Sequence, residues 1–95
     1  MSTQYKSNLE YLKSYRAVAE RVKEIVKSLD PSAKTYVFGS VVRGLYTASS
    51  DIDILIVTEN INLKYDIIVA VYRELIDAPI QLHVVTPGLY EIRDS

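Results

Sequence analysis

The sequence predicts an α/β (α+β) domain in which α-helices pack on a small mixed β-sheet. Two observations support this fold class: helical and strand-like apolar patterns alternate along the chain, and the central strand pattern is continuously apolar. The chain has 95 residues and no internal repeat or linker, which suits a single two-layer core. We therefore expect residues 1–95 to form one domain.

The first predicted element is an amphipathic helix. Ser7 and Glu10 match the S-x-x-E pattern of a capping box, and Asp30 followed by Pro31 marks the helix end. Apolar residues recur between these limits at steps of three and four, and the charged residues on the other face are typical of solvation. The predicted buried stripe comprises Leu12, Tyr15, Ala19, Val22, Val26 and Leu29.

Two strands follow, joined by a glycine-containing loop. Residues Lys34–Phe38 are rich in β-branched and aromatic side chains, which predicts the first strand. We expect one helical turn over Ser40–Gly44, capped by its serine, and then a polar turn. The second strand is predicted over Asp51–Val57. Because Ile52–Val57 is continuously apolar, this strand should lie in the middle of the sheet with both faces covered beyond its first residues.

A second long helix and a third strand complete the predicted fold. Asn60 or Asn62 can cap the helix, which should run to about Ile76 before a turn containing Pro79. The third strand is predicted over Ile80–Val85. The buried stripe of the helix should comprise Leu63, Ile67, Val71 and Leu75.

Composition excludes several classes of protein. A net charge of -1 gives no general basic field, so nucleic-acid binding through charge alone is not expected. With no cysteine, the chain has neither a disulfide framework nor a thiolate metal site. The polar N-terminus and the shortness of the apolar runs predict a soluble cytoplasmic protein without a membrane partner. The eight tyrosines suit either a partner surface, including that of a homo-oligomer, or ordinary packing.

The segment GSVVRGLYTASSDID, residues 39–53, concentrates the residues best suited to chemistry. Residues two apart in a strand point to the same side, so Asp51 and Asp53 should present neighbouring carboxylates. Such anions repel unless a cation lies between them. Oxygen ligands without nearby His or Cys favour Mg²⁺ or Mn²⁺, which usually also hold a substrate phosphate. The alternative interpretation is a solvated strand end.

The start of the same segment is suited to binding phosphate. Gly39 lets the backbone approach a ligand, and the Ser40 hydroxyl with free amides after it forms a phosphate cradle. Arg43 adds charge or buttresses the loop. The alternative is a tight turn with a serine cap. A Walker A loop is excluded because Leu45 and Tyr46 replace its Lys and Ser/Thr, and the dinucleotide fingerprint is absent.

Together these residues resemble the signature of the DNA polymerase β-like nucleotidyltransferase superfamily, most closely its minimal prokaryotic nucleotidyltransferases. In that signature a Gly-Ser pair precedes Arg-Gly and then, with ten residues between the Ser and the first acid, Asp-x-Asp, as in this chain. The resemblance covers about residues 34–87 and implies the polymerase β-like nucleotidyltransferase fold. It also implies that Gly39 and Ser40 hold a nucleoside triphosphate and that Asp51 and Asp53 bind metal ions.

The chain departs from the family pattern at the third carboxylate of the site. The residue aligned with that acid, on the third predicted strand, is Gln81, whose amide carries no charge and cannot accept a proton as a base. A two-metal mechanism is therefore in question. His83 lies on the same strand face and is either a base or ligand of a rebuilt site or an ordinary packed residue.

The resemblance implies an Mg²⁺-dependent enzyme that transfers a nucleoside monophosphate, from ATP in our interpretation, to a hydroxyl. Minimal family members are often encoded beside a helical HEPN-type toxin, so the acceptor could be a tyrosine of such a partner, with this chain as the antitoxin. The alternative hypothesis is a catalytically impaired module that binds nucleotide or partner without turnover, because Gln81 replaces the third acid. In a third interpretation the loop is a plain turn with solvated aspartates.

Overall fold

The computed structural model describes residues 8–88, which form a three-stranded sheet with helices on one face. The α-helices and strands that lie wholly within these residues follow in chain order. They are α1 (Asn8–Lys13), α2 (Tyr15–Leu29), β1 (Lys34–Phe38), β2 (Ile52–Val57), α3 (Lys64–Glu74) and β3 (Ile80–Val85). A short 3₁₀ turn, Ile61–Leu63, leads into α3. The predicted α+β class and order of elements are confirmed.

The first helix is interrupted at Ser14, where the sequence predicted one continuous helix. The Ser14 hydroxyl donates a hydrogen bond of 2.8 Å to the carbonyl of Glu10, four residues earlier. Serine hydroxyls bonded back to such carbonyls bend helices, which explains the break. The predicted capping box begins at Ser7, outside the described residues.

The buried stripe of α2 differs in part from the prediction. Val22 and Val26 are fully buried, as expected, and so is Leu12 on α1. Val18 and Ile25 are also buried, whereas Leu29 at the helix end is 38% exposed and lies outside the core. The charged face of the helix is exposed, as predicted.

The sheet has the order β1-β2-β3, so β2 is central, as predicted. β1 pairs with β2 antiparallel, and β2 pairs with β3 parallel. The parallel pair needs a crossover, which α3 provides in the manner of a βαβ unit. β3 has the predicted bounds, while α3 ends at Glu74, short of the predicted Ile76. No side-chain cap is formed by Asn60, so this predicted cap is wrong.

One face of the sheet forms the core and the other is open. Ile52, Ile54 and Ile56 on β2 are fully buried in one cluster with residues of α2 and α3. On the opposite face, the β2 side chains are only partly buried, and Tyr36 and Phe38 of β1 are exposed. Within residues 8–88, the described helices therefore pack on one face of β2, and the predicted second covering layer is not found in this part of the chain. An apolar run reports how hydrophobic a strand is but not how many layers pack on the sheet.

No helix of residues 8–88 is long and apolar enough to cross a bilayer.

Candidate active site

The candidate site lies at the start of β2, on the open face of the sheet. The strand register places Phe38 of β1, Asp53 of β2 and Gln81 of β3 side by side in one row. The next row on the same face contains Tyr36, Leu55 and His83. Facing strand partners point to the same side of a sheet, so these side chains share the surface opposite the one on which α2 and α3 pack.

Gly39 connects β1 to the loop and lies directly against the Asp53 carboxylate. Its φ of +90° belongs to the region that L-residues with a side chain rarely adopt. A Cβ at this position would collide with Asp53 Oδ2 and would lie 3.3 Å from Asp53 Cγ. Glycine is therefore required at position 39 for two reasons: its backbone angle is positive, and the Asp53 carboxylate occupies the space of a side chain.

The loop after Gly39 makes a compact turn with a defined end. Gly44, with φ +73°, donates its N–H to the carbonyl of Val41, and Leu45 donates to the carbonyl of Ser40. This pair of bonds around a left-handed glycine is a Schellman motif, the usual end of a helix. The predicted helical turn over residues 40–44 is thus a set of overlapping turns, too short to be an α-helix.

The backbone amides at the start of this turn are available to a ligand. Within residues 8–88, the N–H groups of Ser40, Val41 and Val42 donate no hydrogen bond to another protein group. Successive backbone N–H groups in a turn form a concavity that suits anions such as phosphate. Arg43 is exposed and forms no ion pair with the described residues, so its positive charge is also uncommitted.

Asp53 is held in place but is not neutralised by a salt bridge to Lys or Arg in the described part of the chain. Its side chain is 28% exposed, and Oδ1 lies 3.9 Å from Nε2 of His83. The His83 ring packs against Phe38 with 5.5 Å between ring centroids. The structure thus brings together four of the predicted site positions: Gly39, Asp53, Gln81 and His83.

Asp51 lies just outside β2, although the sequence predicted it as the first strand residue. It is exposed and accepts no hydrogen bond from the residues that the structure describes. The preceding turn is ordered by its own hydroxyls: Ser50 Oγ accepts the N–H of Thr47 at 2.9 Å, and Ser50 N donates to the Thr47 carbonyl. Asp51 follows this turn and precedes Asp53 by two residues.

The donors present suit a hard cation bound on one side by the protein. Asp51 and Asp53 offer carboxylate oxygens, and Gln81 offers an amide oxygen beside Asp53. Such oxygens fit Mg²⁺ or Mn²⁺, with the remaining positions left for water and phosphate. Between residues 8 and 88, no group of three or more His, Cys, Asp or Glu side chains is arranged to hold a metal ion.

A second polar cluster lies at the opposite end of β2, and the sequence interpretation missed it. Asp30 is buried, and its carboxylate accepts hydrogen bonds from the hydroxyls of Thr58 and Ser32 and from the N–H of Ser32. These bonds hold the pKa of Asp30 below its usual range, and the bond from Thr58 has the largest effect. The Asp-Pro-Ser order is a signal for the local bond to Ser32, but nothing local indicates Thr58.

Comparison with known families and structures gives a consistent result. The model of the nucleotidyltransferase domain family matches residues 19–91, which is more than half of the chain. No curated protein matches the sequence significantly. The matched region includes the whole sheet and the glycine-containing loop.

Solved structures show the same fold. A presumed nucleotidyltransferase from Sulfolobus solfataricus is 29% identical, with a TM-score of 0.64 over 97% of this chain and 85% of that one. Another presumed nucleotidyltransferase is 32% identical, with a TM-score of 0.64 over 79% of this chain and 85% of the other. The Cid1 RNA terminal uridylyl transferase is 20% identical, with a TM-score of 0.56 over 90% of this chain but only 34% of its own. At that identity, Cid1 indicates the fold alone.

Proposed function

Because this chain belongs to the nucleotidyltransferase domain family, we propose that it transfers a nucleoside monophosphate from a nucleoside triphosphate to a hydroxyl acceptor. In this reaction the acceptor oxygen forms a bond to the α-phosphorus and pyrophosphate leaves. The observation that carries the proposal is the contact between Gly39 and the Asp53 carboxylate. It places the acid next to the turn whose first three amides donate to no other group of residues 8–88, so a triphosphate on the turn would lie beside Asp53.

In this proposal, the turn after Gly39 binds the phosphates and the two acids bind the metal ion. The amides of Ser40, Val41 and Val42 would orient the phosphates, and Arg43 would add positive charge. Asp51 and Asp53 would hold Mg²⁺ or Mn²⁺, which when bound supplies charge neutralisation for the phosphates. Gln81 would contribute at most a neutral oxygen.

The finer parts of the proposal rest on the resemblance to minimal nucleotidyltransferases. We propose ATP as the donor and a tyrosine of a HEPN-type helical toxin as the acceptor, with this chain as the antitoxin. A cytoplasmic location and a single domain over residues 1–95 belong to the same proposal. The small net charge supports a protein acceptor over a nucleic acid.

The test is a label-transfer assay with the purified chain, Mg²⁺ and each α-labelled nucleoside triphosphate, with and without the product of the neighbouring gene. We expect label on the partner from ATP, and loss of that label in Asp53→Asn. Glu59→Gln, which removes an exposed carboxylate beyond the opposite end of β2, is the matched control and should transfer normally. Transfer that survives Asp53→Asn would contradict the assigned site.

A second candidate function is favoured by the pairing of Asp53 with Gln81. The register places an uncharged amide beside the carboxylate, which supports a module that binds nucleotide or partner without turnover. Partner binding that survives the double change Asp51→Asn/Asp53→Asn, with no label transferred by the native chain, would support this second function and exclude the first.

A further inference from the structure

α3 carries a second apolar stripe on the side opposite the core. It consists of Ile61, Tyr65, Val69, Tyr72 and Ile76, which we call the outer stripe, and it runs from the 3₁₀ turn to the residues just after the helix. The exposed fractions range from 37% for Tyr72 to 78% for Ile76. Its steps of four, four, three and four are those of an apolar seam between helices.

The outer stripe is not an edge of the core. Ile67 and Val71, on the other side of the same helix, are fully buried and complete the packing of α3 on the sheet. The Tyr72 hydroxyl donates to the carbonyl of Ile80 at 3.1 Å, which anchors this ring toward the start of β3 and leaves it 37% exposed. A contiguous apolar surface with a fixed aromatic ring is typical of a protein interface.

Two opposite charges border the outer stripe on the same side. Asp66 and Arg73 are both exposed, and neither forms an ion pair with the described residues. They lie seven positions apart, which is about 10.5 Å along the helix axis and too far for the two side chains to pair with each other. The helix therefore presents a negative charge early and a positive charge late, beside one apolar seam.

This arrangement is complementary to itself in only one orientation. When two identical helices pack antiparallel around a two-fold axis, each border of one helix lies against the same border of the other helix. A residue near the start of one helix then lies opposite a residue near the end of the other. Asp66 then meets Arg73 of the second copy, and the reverse contact forms as well. In a parallel pair, the border that carries both charges would face the opposite border of the partner helix, where Lys64 lies near Asp66 but no acid of α3 lies opposite Arg73.

We propose that the chain forms a two-fold homodimer in which α3 packs antiparallel on α3 of a second copy through the outer stripe. The helices cover the face of the sheet opposite to Asp53, so this dimer leaves the candidate active site accessible. The proposal does not depend on nucleotidyl transfer, and its failure would leave the proposed function untouched.

The first test is the mass of the purified full chain by sedimentation equilibrium over a wide range of concentration. We expect a monomer–dimer equilibrium. Val69→Glu places a charge in the centre of the outer stripe and should raise the dissociation constant about tenfold or more. Leu9→Glu, which alters an exposed leucine of α1, is the matched control and should leave the constant unchanged. A monomer at all concentrations, including one that binds another protein through Val69, would overturn the proposal.

The second test is charge reversal, which reports whether the two α3 helices pack antiparallel. Asp66→Arg or Arg73→Asp alone places like charges together twice and should raise the dissociation constant about threefold or more. The double reversal restores both opposite pairs and should return the constant close to its native value. Circular dichroism checks that every variant stays folded. A double variant that associates no better than the single ones would rule out the antiparallel pair.

Discussion

The two ends of β2 hold aspartates in opposite ways. At the carboxyl end, Asp30 is buried and its oxygens are occupied by three hydrogen bonds from Thr58 and Ser32. At the amino end, Asp53 is partly exposed and lies against Gly39, its Oδ1 is 3.9 Å from His83 Nε2, and it accepts no hydrogen bond from residues 8–88. A carboxylate whose lone pairs are satisfied stabilises the fold, whereas one that is positioned but unsatisfied is available to a ligand.

The same strand supports both arrangements because its buried face is continuous. Ile52, Ile54 and Ile56 are fully buried along its whole length, so both ends are anchored to one core. The difference between the ends therefore comes from what lies next to each carboxylate. Hydroxyl donors surround Asp30, and a bare glycine backbone faces Asp53.

Isosteric changes at the two acids should separate activity from stability most strongly. Asp53→Asn should lower nucleotidyl transfer roughly 100-fold or more, because a metal-binding charge is lost, and should leave the melting temperature unchanged. Asp30→Asn should lower the melting temperature and leave the activity of the folded fraction unchanged. Rate measurements and thermal unfolding of both variants provide the check. A fall in stability with Asp53→Asn would show that its carboxylate is structural.

Gly39→Ala should impair both properties, because the added methyl group meets Asp53 and the backbone angle is unfavourable. We expect a loss of transfer of about tenfold or more, with a destabilisation of roughly 1–2 kcal/mol. Gly44→Ala is the matched control: φ is also positive there, but nothing lies within 4 Å of the added Cβ. The Gly44→Ala variant should lose stability but keep its transfer activity. Equal activity losses in the two variants would mean that the collision with Asp53 is irrelevant.

The contribution of Asp30 should depend on pH in a defined direction. Its hydrogen bonds lower its pKa in the folded state, so their stabilisation is complete above the unfolded pKa of about 3.9. It is lost as the pH falls through the lower folded-state pKa. Thr58→Val should thus lower the melting temperature by several degrees at neutral pH, and the difference from the native protein should narrow below about pH 4. Melting curves across acid pH measure this, with Thr47→Val as an exposed control. A constant difference at every pH would contradict the link to Asp30.

The smallest expected effect is a gain in Mg²⁺ affinity from a change beside Asp53, at the amino end of β2. Gln81→Glu places a second charge beside Asp53 and should raise Mg²⁺ affinity about threefold or more, with a parallel rise in transfer. The reason is that an added carboxylate oxygen offers the cation a charged ligand. Isothermal titration with Mg²⁺ is the measurement, and Gln81→Met is the uncharged control. No gain in affinity would show that position 81 does not reach the cation.

Local sequence signals located most elements and the candidate site. The β-branched run after Lys34, the apolar run from Ile52 and the final strand to Val85 fix the sheet, because strand preference depends on side chains that are close in sequence. The break at Ser14 was not predicted, since a serine within a helical pattern takes part in a back-bond only in certain backbone geometries.

The sequence by itself determined the fold class and the central position of β2, and it placed a Gly-Ser turn and two acids within one short segment, since these depend on residue type and short spacing. Only the tertiary structure decided that the described helices leave one face of the sheet open and that Thr58 satisfies Asp30 from 28 residues away. These features arise from which surfaces meet after folding. Such contacts join residues far apart in the chain, so no local pattern encodes them.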